Sequence, residues 1–180
     1  MTRAAAALRA GLWIRGERDG DESAIRRLHE QAFGRPGEAD LVDALRAAGG
    51  VELSLVAEAD GELVGHVLFS PVTIDGAARD GAFLGLAPMA VAPGRQRSGI
   101  GSALVRASLA ALTAVGGEAV VVLGHPRYYP RFGFVPASQF GLRWERPCAD
   151  EAFLAVELRP GALRGLGGGV VRYRPELAAV

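Results

Sequence analysis

The chain has 180 residues, 49% of them hydrophobic and 22% charged, with 20 basic side chains balancing 20 acidic ones. That length suits a single α/β domain, 1–180, with a sizeable buried core. The zero net charge argues against a nucleic-acid partner, which selects for a basic excess. No apolar run approaches a membrane span, so no membrane partner is expected. The lone Cys148 rules out an intrachain disulfide and fits a reducing, cytoplasmic compartment. His29, His66 and His125 are scattered and no C-x₂-C or H-x₃-H spacing occurs, so no metal site is expected.

Residues 1–11 carry two arginines and no acid and read as a flexible N-terminal extension. Leu12 to Arg15 reads as a first strand. Asp19 to Ser23 supplies helix caps ahead of an apolar face made by Ile25, Leu28, His29 and Ala32. Gly34-Arg35-Pro36-Gly37 breaks that helix, and a second runs from Glu38 to Ala48, with Leu41, Val42 and Leu45 on one side. Two strands, Val51 to Ala59 and Glu62 to Ile74, meet at Asp60-Gly61, a strong hairpin turn. A third apolar run, 82–91, is interrupted by Pro88. A helix follows from Ile100 through Leu112, then a buried strand from Glu118 to Leu123. The chain is loop-rich after Phe134, with strands at Glu151 to Leu158 and Val170 to Tyr173; residues 159–180 form a C-terminal extension. The order β-α-α-β-β-β-α-β-α-β is a mixed α/β pattern.

The most informative segment joins the 82–91 strand to the following helix: Gln96-Arg97-Ser98-Gly99-Ile100-Gly101-Ser102. A glycine-rich helix start leaves several N–H groups free and pointing one way. The helix dipole adds partial positive charge, which suits a phosphate or pyrophosphate. Arg95 and Arg97 add full charge at the rim. The same segment is also a reasonable tight packing turn. It is not a P-loop, since the chain has no lysine, and it lacks the early strand-turn-helix context of a dinucleotide fingerprint.

A second motif lies one helix and one strand further on: Tyr128-Tyr129-Pro130-Arg131-Phe132-Gly133-Phe134. Together the two resemble the signatures of the GNAT superfamily of N-acetyltransferases. Gln96, Gly99 and Gly101 match its [QR]-x-x-G-x-[GA] pyrophosphate motif, and Tyr129, Gly133 and Phe134 match its Tyr-x₃-Gly-Phe signature. The resemblance spans roughly residues 11 to 158. It implies a central, mostly antiparallel twisted sheet flanked by helices and splayed between the fourth and fifth strands. It implies acetyl-CoA as cosubstrate, with pantetheine along Met89, Ala90 and Val91 and the pyrophosphate over residues 96–102. It implies transfer of the acetyl group to a primary amine on a small molecule or protein, and it leaves a homodimer open. An acetyl-CoA-binding sensor that has lost turnover is the alternative.

The resemblance makes Tyr129 the general acid for the departing thiolate; the plain alternative is a core tyrosine packed against Phe132 and Phe134. The general base is less defined. Many members place a glutamate on the strand before the glycine turn, and this chain has no acid between Phe83 and Arg95. Glu38, His125 and His66 are candidates. Their plain readings are a first-turn helix acid, a loop histidine before Pro126 and a strand packing residue. Two other departures are Arg97, where many members have glycine, and the absence of asparagine in 124–127.

Overall fold

The computed structural model describes residues 11–76, 81–166 and 168–179; the expected extension up to residue 10 lies outside them. Ten strands and three α-helices are formed among the described residues. They are β1 (Leu12–Gly16), α1 (Glu22–Phe33), α2 (Gly37–Ala47), β2 (Leu53–Ala59), β3 (Glu62–Pro71), β4 (Thr73–Asp75), β5 (Phe83–Val91), α3 (Ile100–Ala114), β6 (Ala119–Leu123), β7 (Val135–Pro136), β8 (Arg143–Trp144), β9 (Phe153–Glu157) and β10 (Val170–Arg172).

Side-chain alternation decides the layers. On β6, Val120 and Val122 pack in one core with Leu104 and Leu112 of α3, while Val121 enters a second core with Phe153, Leu163 and Val171. On β2, Leu55 and Ala57 face α3, whereas Val56 joins Ile25, Leu41 and Leu45 of α1 and α2. The main sheet is therefore covered by α3 on one face and by α1, α2 and the C-terminal elements on the other. Its order is β1-β2-β3-β5-β6-β9-β7. Every neighbouring pair is antiparallel except β5 and β6, which α3 connects in parallel. At Gly65 a side chain would run into Ile100 and Leu104, 2.8 and 2.9 Å from the position its Cβ would take, so α3 lies close against β3 there.

Two expectations are corrected. The strand expected over Glu62 to Ile74 ends at Pro71, which has no N–H to continue the ladder. The chain then leaves as β4 for a small second sheet, β4-β10-β8. The helix expected between β6 and β9 does not form. Tyr129–Phe132 and Ala137–Phe140 make 3₁₀ turns instead, bounded by Pro130 and Pro136 and closed by left-handed Gly133 and Gly141 (φ 90° and 71°).

Beneath α1 the structure buries a directional chain of polar groups. His29 Nε2 and His66 Nδ1 are 2.7 Å apart, His66 Nε2 and Ser54 Oγ 2.9 Å apart, and Ser54 donates to Glu17. Since Ser54 gives its proton to the carboxylate, His66 Nε2 donates to Ser54 and His29 Nε2 donates to His66. Arg46 completes the chain, 2.7 Å from Glu17. Burial lowers the His29 pKa to about 3 and lowers that of His66. On Glu17 burial alone raises the pKa, but hydrogen bonds from the neighbours outweigh it and hold the carboxyl at about 2.

Both histidines fold neutral and would protonate in the unfolded chain near pH 6.5. Their contribution is full above that pH and is lost as pH falls toward the folded value. Between pH 7.5 and pH 5 stability should drop by about 2 kcal/mol on account of His29, with a further drop from His66, read as a falling urea midpoint. In His29→Leu that slope should shrink; an unchanged slope would place the proton uptake elsewhere.

Candidate functional site

The parallel pairing of β5 with β6 covers only Phe83, Leu84 and Gly85, opposite Ala119, Val120 and Val121. Beyond Gly85 the two strands part. The cause is local to β5: against β3 it fits one extra residue between Leu86 and Met89, where Pro88 sits. The splay expected between the fourth and fifth strands of the main sheet is thus present. The Ala92 N–H bonds the Val64 carbonyl on β3 at 3.0 Å. By alternation the N–H and C=O groups of Met89 and Val91 face the opposite edge, into the gap. Gln96 confirms that direction, its side-chain amide donating to the Val91 carbonyl at 3.2 Å.

At the end of β5 the chain turns into α3. The Ala103 N–H makes the first helical bond, to Gly99 O at 3.0 Å. The N–H groups of Ile100, Gly101 and Ser102 precede it and have no helical acceptor. Gly99 sits at φ 97° and Arg97 at φ 60°. Arg97 therefore adopts the left-handed conformation for which glycine is the easier choice, and its side chain is exposed. Arg95 is tied to Asp60 at 3.2 Å, Ser98 caps the Arg95 carbonyl at 2.5 Å, and the Ile100 side chain is buried in the core. The turn thus presents backbone donors, with Arg97 as its least engaged cation.

Gly101 has a more specific role than openness to a ligand. A Cβ there would stand 2.7 Å from the Tyr128 hydroxyl. That hydroxyl reaches the Ser102 side chain, and the Tyr128 ring carries the Arg131 guanidinium 4.8 Å from its centroid. Along the sequence Tyr128 reads as a packing or acceptor-site residue. It closes the space between the glycine turn and the mouth of the splay.

Tyr129 is 6% exposed and lies edge-on to Phe134 and Tyr128, with centroids 5.5 and 5.1 Å away. Its ring occupies the space a side chain at Gly124 would need. Burial, and secondarily Tyr128, push its pKa well above the usual phenol value, so the hydroxyl keeps its proton throughout the neutral range.

One cavity of about 510 Å³ joins these parts. Leu86 to Met89 and Val122 to Gly124 line it where the strands part, with Tyr128 and Tyr129 beside them. Phe33, Glu38 and Leu41 of the α1–α2 corner line it too, as do Trp144, Tyr173 and Leu177 from the C-terminal part of the chain. Glu38 is 6% exposed. Its Oε1 accepts from Arg35 at 2.5 Å, and its Oε2 is buried with no hydrogen-bond partner. His125 also lines the cavity but is exposed, and its Nδ1 accepts from the Arg127 N–H at 3.2 Å. His66 is not in this cavity; it is a member of the buried chain under α1. Among the described residues no group of three or more His, Cys, Asp or Glu side chains could hold a metal ion, and no helix is long and apolar enough to cross a membrane. Cys148 is exposed.

A parted parallel strand pair, a bare helix N-terminus beyond it and a cavity across the gap define the acetyltransferase architecture that the sequence motifs implied. Residues 22–134 match the acetyltransferase (GNAT) family model, and the chain belongs to that family. It is 39% identical over 161 residues to the uncharacterized N-acetyltransferase YhbS of Escherichia coli K12, covering 89% of this chain and 95% of that protein. The crystal structure of Escherichia coli YhbS in complex with CoA superposes with a TM-score of 0.89 at 36% identity, over 96% of this chain and 95% of that one. A GNAT family acetyltransferase from Brucella melitensis in complex with acetyl-CoA gives 0.76 at 38% identity, over 92% and 97%.

Proposed function

We propose that the protein transfers the acetyl group of acetyl-CoA to a primary amine by direct attack in a ternary complex. The observation that carries this reading is the convergence, in one cavity, of the free Met89 edge, the protonated Tyr129 and the unpartnered Glu38 oxygen. Pantetheine adds to the open edge of β5 as a further strand would, through the groups of Met89 and Val91, with Ala90 between them. The pyrophosphate lies on the N–H groups at the start of α3, flanked by Gln96, Arg97 and Ser98. The inhabited compartment is the cytoplasm, in keeping with an exposed, unpaired Cys148.

The acceptor arrives as an ammonium. Glu38 Oε2 takes one proton and passes it to solvent, freeing the nitrogen lone pair. The lone pair forms the C–N bond at the acetyl carbonyl carbon, and the Met89 N–H stabilises the oxyanion. As the C–S bond breaks, Tyr129 gives its proton to the thiolate and recovers one from the amide nitrogen through solvent. The products are the N-acetyl amine, CoA and one proton. His125, at the exposed rim, takes no part in this scheme.

Tyr129→Phe keeps the ring and removes the proton. Its kcat should fall roughly 10²–10⁴-fold with the acetyl-CoA dissociation constant nearly unchanged. Free-thiol release checks the rate and calorimetry the binding; equal rates would remove Tyr129 from the reaction. If the wild type binds acetyl-CoA yet releases no thiol with any amine, the sensor reading replaces this one.

Gly101→Val should drive Tyr128 off Ser102 and crowd the donors of the turn. Acetyl-CoA binding should weaken at least about tenfold while the melting temperature changes by only about 2–4 °C. Undiminished affinity in the folded variant would place the pyrophosphate elsewhere.

A further inference from the structure

The cavity that spans the splay is walled by residues the family match does not include. Trp144, Tyr173 and Leu177 lie beyond residue 134, where the match ends. Trp144 stands on β8, paired in parallel with β10 through Val171, and β10 is tied in turn to β4. The closing 3₁₀ turn, Pro175–Ala179, packs on α2, the helix that carries Glu38. The C-terminal segment therefore returns against α2 and walls the cavity beside the α1–α2 corner.

The lining has a definite chemical character. All three tyrosines of the chain, one of its two tryptophans and Phe33 face it. Phe33 and Leu123 remain 42% and 44% exposed, so two of the four large exposed apolar side chains among the described residues sit here. Glu38 is the only carboxylate in the lining, and it shares the cavity with Arg35 and Arg146. One anion beside two cations disfavours a polyamine or any acceptor with several positive charges. A cavity walled by α1, α2 and the C-terminal segment disfavours an extended polypeptide. Three lining side chains also hold a buried polar atom without a partner: Oε2 of Glu38, which can accept, Nε1 of Trp144, which can only donate, and the Tyr173 hydroxyl, which can do both.

We propose that this cavity is the acceptor subsite for a single primary amine carried on a flat aromatic body, an arylalkylamine, with Glu38 as its ammonium anchor and the C-terminal segment as its selective wall. This rests on the acetyltransferase reading for turnover, though not for binding. The ammonium donates to Glu38 Oε2 as a charge-assisted hydrogen bond in a desolvated setting. The ring stacks among Trp144, Phe33 and the tyrosines. The Arg146 guanidinium, 5.5 Å from the Trp144 ring centroid, lies over that ring within the same lining. A ring substituent able to accept a hydrogen bond would engage the indole N–H.

The test measures two quantities on the full chain. Calorimetry reads the binding of 2-phenylethylamine and tryptamine to the protein saturated with CoA. Thiol release from acetyl-CoA reads kcat/KM for the same amines against n-hexylamine, spermidine and a lysine-containing tetrapeptide. Aromatic amines should exceed n-hexylamine by at least about tenfold in kcat/KM, with spermidine and the peptide lower still. Glu38→Gln, which keeps the side-chain shape, should weaken 2-phenylethylamine binding by about 10–100-fold. Trp144→Ala should weaken it by about tenfold while leaving acetyl-CoA binding unchanged. Trp13→Ala, on the distal edge strand, should change neither.

Equal or better turnover of n-hexylamine, spermidine or the peptide would overturn the proposal while leaving the acetyltransferase reading intact. Aromatic amines that bind in a Glu38- and Trp144-dependent way without thiol release would uphold the subsite and overturn that reading. Binding that survives Glu38→Gln unchanged would overturn the anchor, and this readout does not depend on whether Trp144→Ala folds.

Discussion

Everything at the site follows from the point where β5 and β6 stop pairing. Three residue pairs hold the two strands together, and then β5 fits in an extra residue around Pro88 and its edge is released. Backbone groups inside a sheet are almost always satisfied by a neighbouring strand. Here the Met89 and Val91 groups face a gap, which makes them available to something shaped like a strand. The same parting opens the sheet from the α3 face to the α1–α2 face, so a donor lying on one side and an acceptor lying on the other can meet within it. α3 contributes its bare N-terminus at the same edge because a parallel crossover must start where β5 ends. Gly65 lets that helix settle close on β3, which fixes where the turn stands.

The electrostatics of the chain separate its titratable groups into two kinds. Under α1, His29, His66, Ser54, Glu17 and Arg46 are linked to one another, with His29 Nδ1 and Arg46 Nη2 left without a hydrogen-bond partner, and burial keeps both histidines neutral. These groups tie β3 and β2 to α1, away from the cavity. In the cavity the bonding is deliberately incomplete. Glu38 has one oxygen held by Arg35 and the other bare, and Tyr129 is buried against Phe134 with a proton it holds firmly. An unsatisfied carboxylate oxygen at such burial costs stability unless a ligand supplies the donor. That is the physical reason for placing the ammonium there and for setting aside His125, which is solvated at the rim.

The absence of an acid on β5 reads differently once the α1–α2 corner is in view. A carboxylate on the strand would reach the thioester along the sheet. In the proposed scheme the carboxylate comes instead from the first turn of α2, where Glu38 is paired with Arg35, and β5 lends the cavity only the run Leu86 to Met89.

The sequence by itself determined the strand-turn-helix of residues 91–104, the Asp60-Gly61 hairpin, the first two helices and the family, because each rests on local physics: glycine conformations, apolar periodicity and the fixed spacing of two motifs. It also pointed to Tyr129 and to a splay at Pro88. Arg97 in a left-handed conformation and the missing helix after β6 were harder; in the latter stretch Pro130, Gly133, Pro136 and Gly141 allow only 3₁₀ turns. Only the tertiary structure separated Glu38 from His66, two residues that looked equally eligible along the chain. One lies at a helix start facing a cavity and the other on a strand face under α1, and no local pattern encodes which side of the sheet a remote element will cover. The same holds for Trp144, Tyr173 and Leu177. Their place in the same cavity as Glu38 depends on β10 pairing with both β4 and β8, contacts between segments far apart in sequence whose register is set by packing rather than by any neighbouring residue.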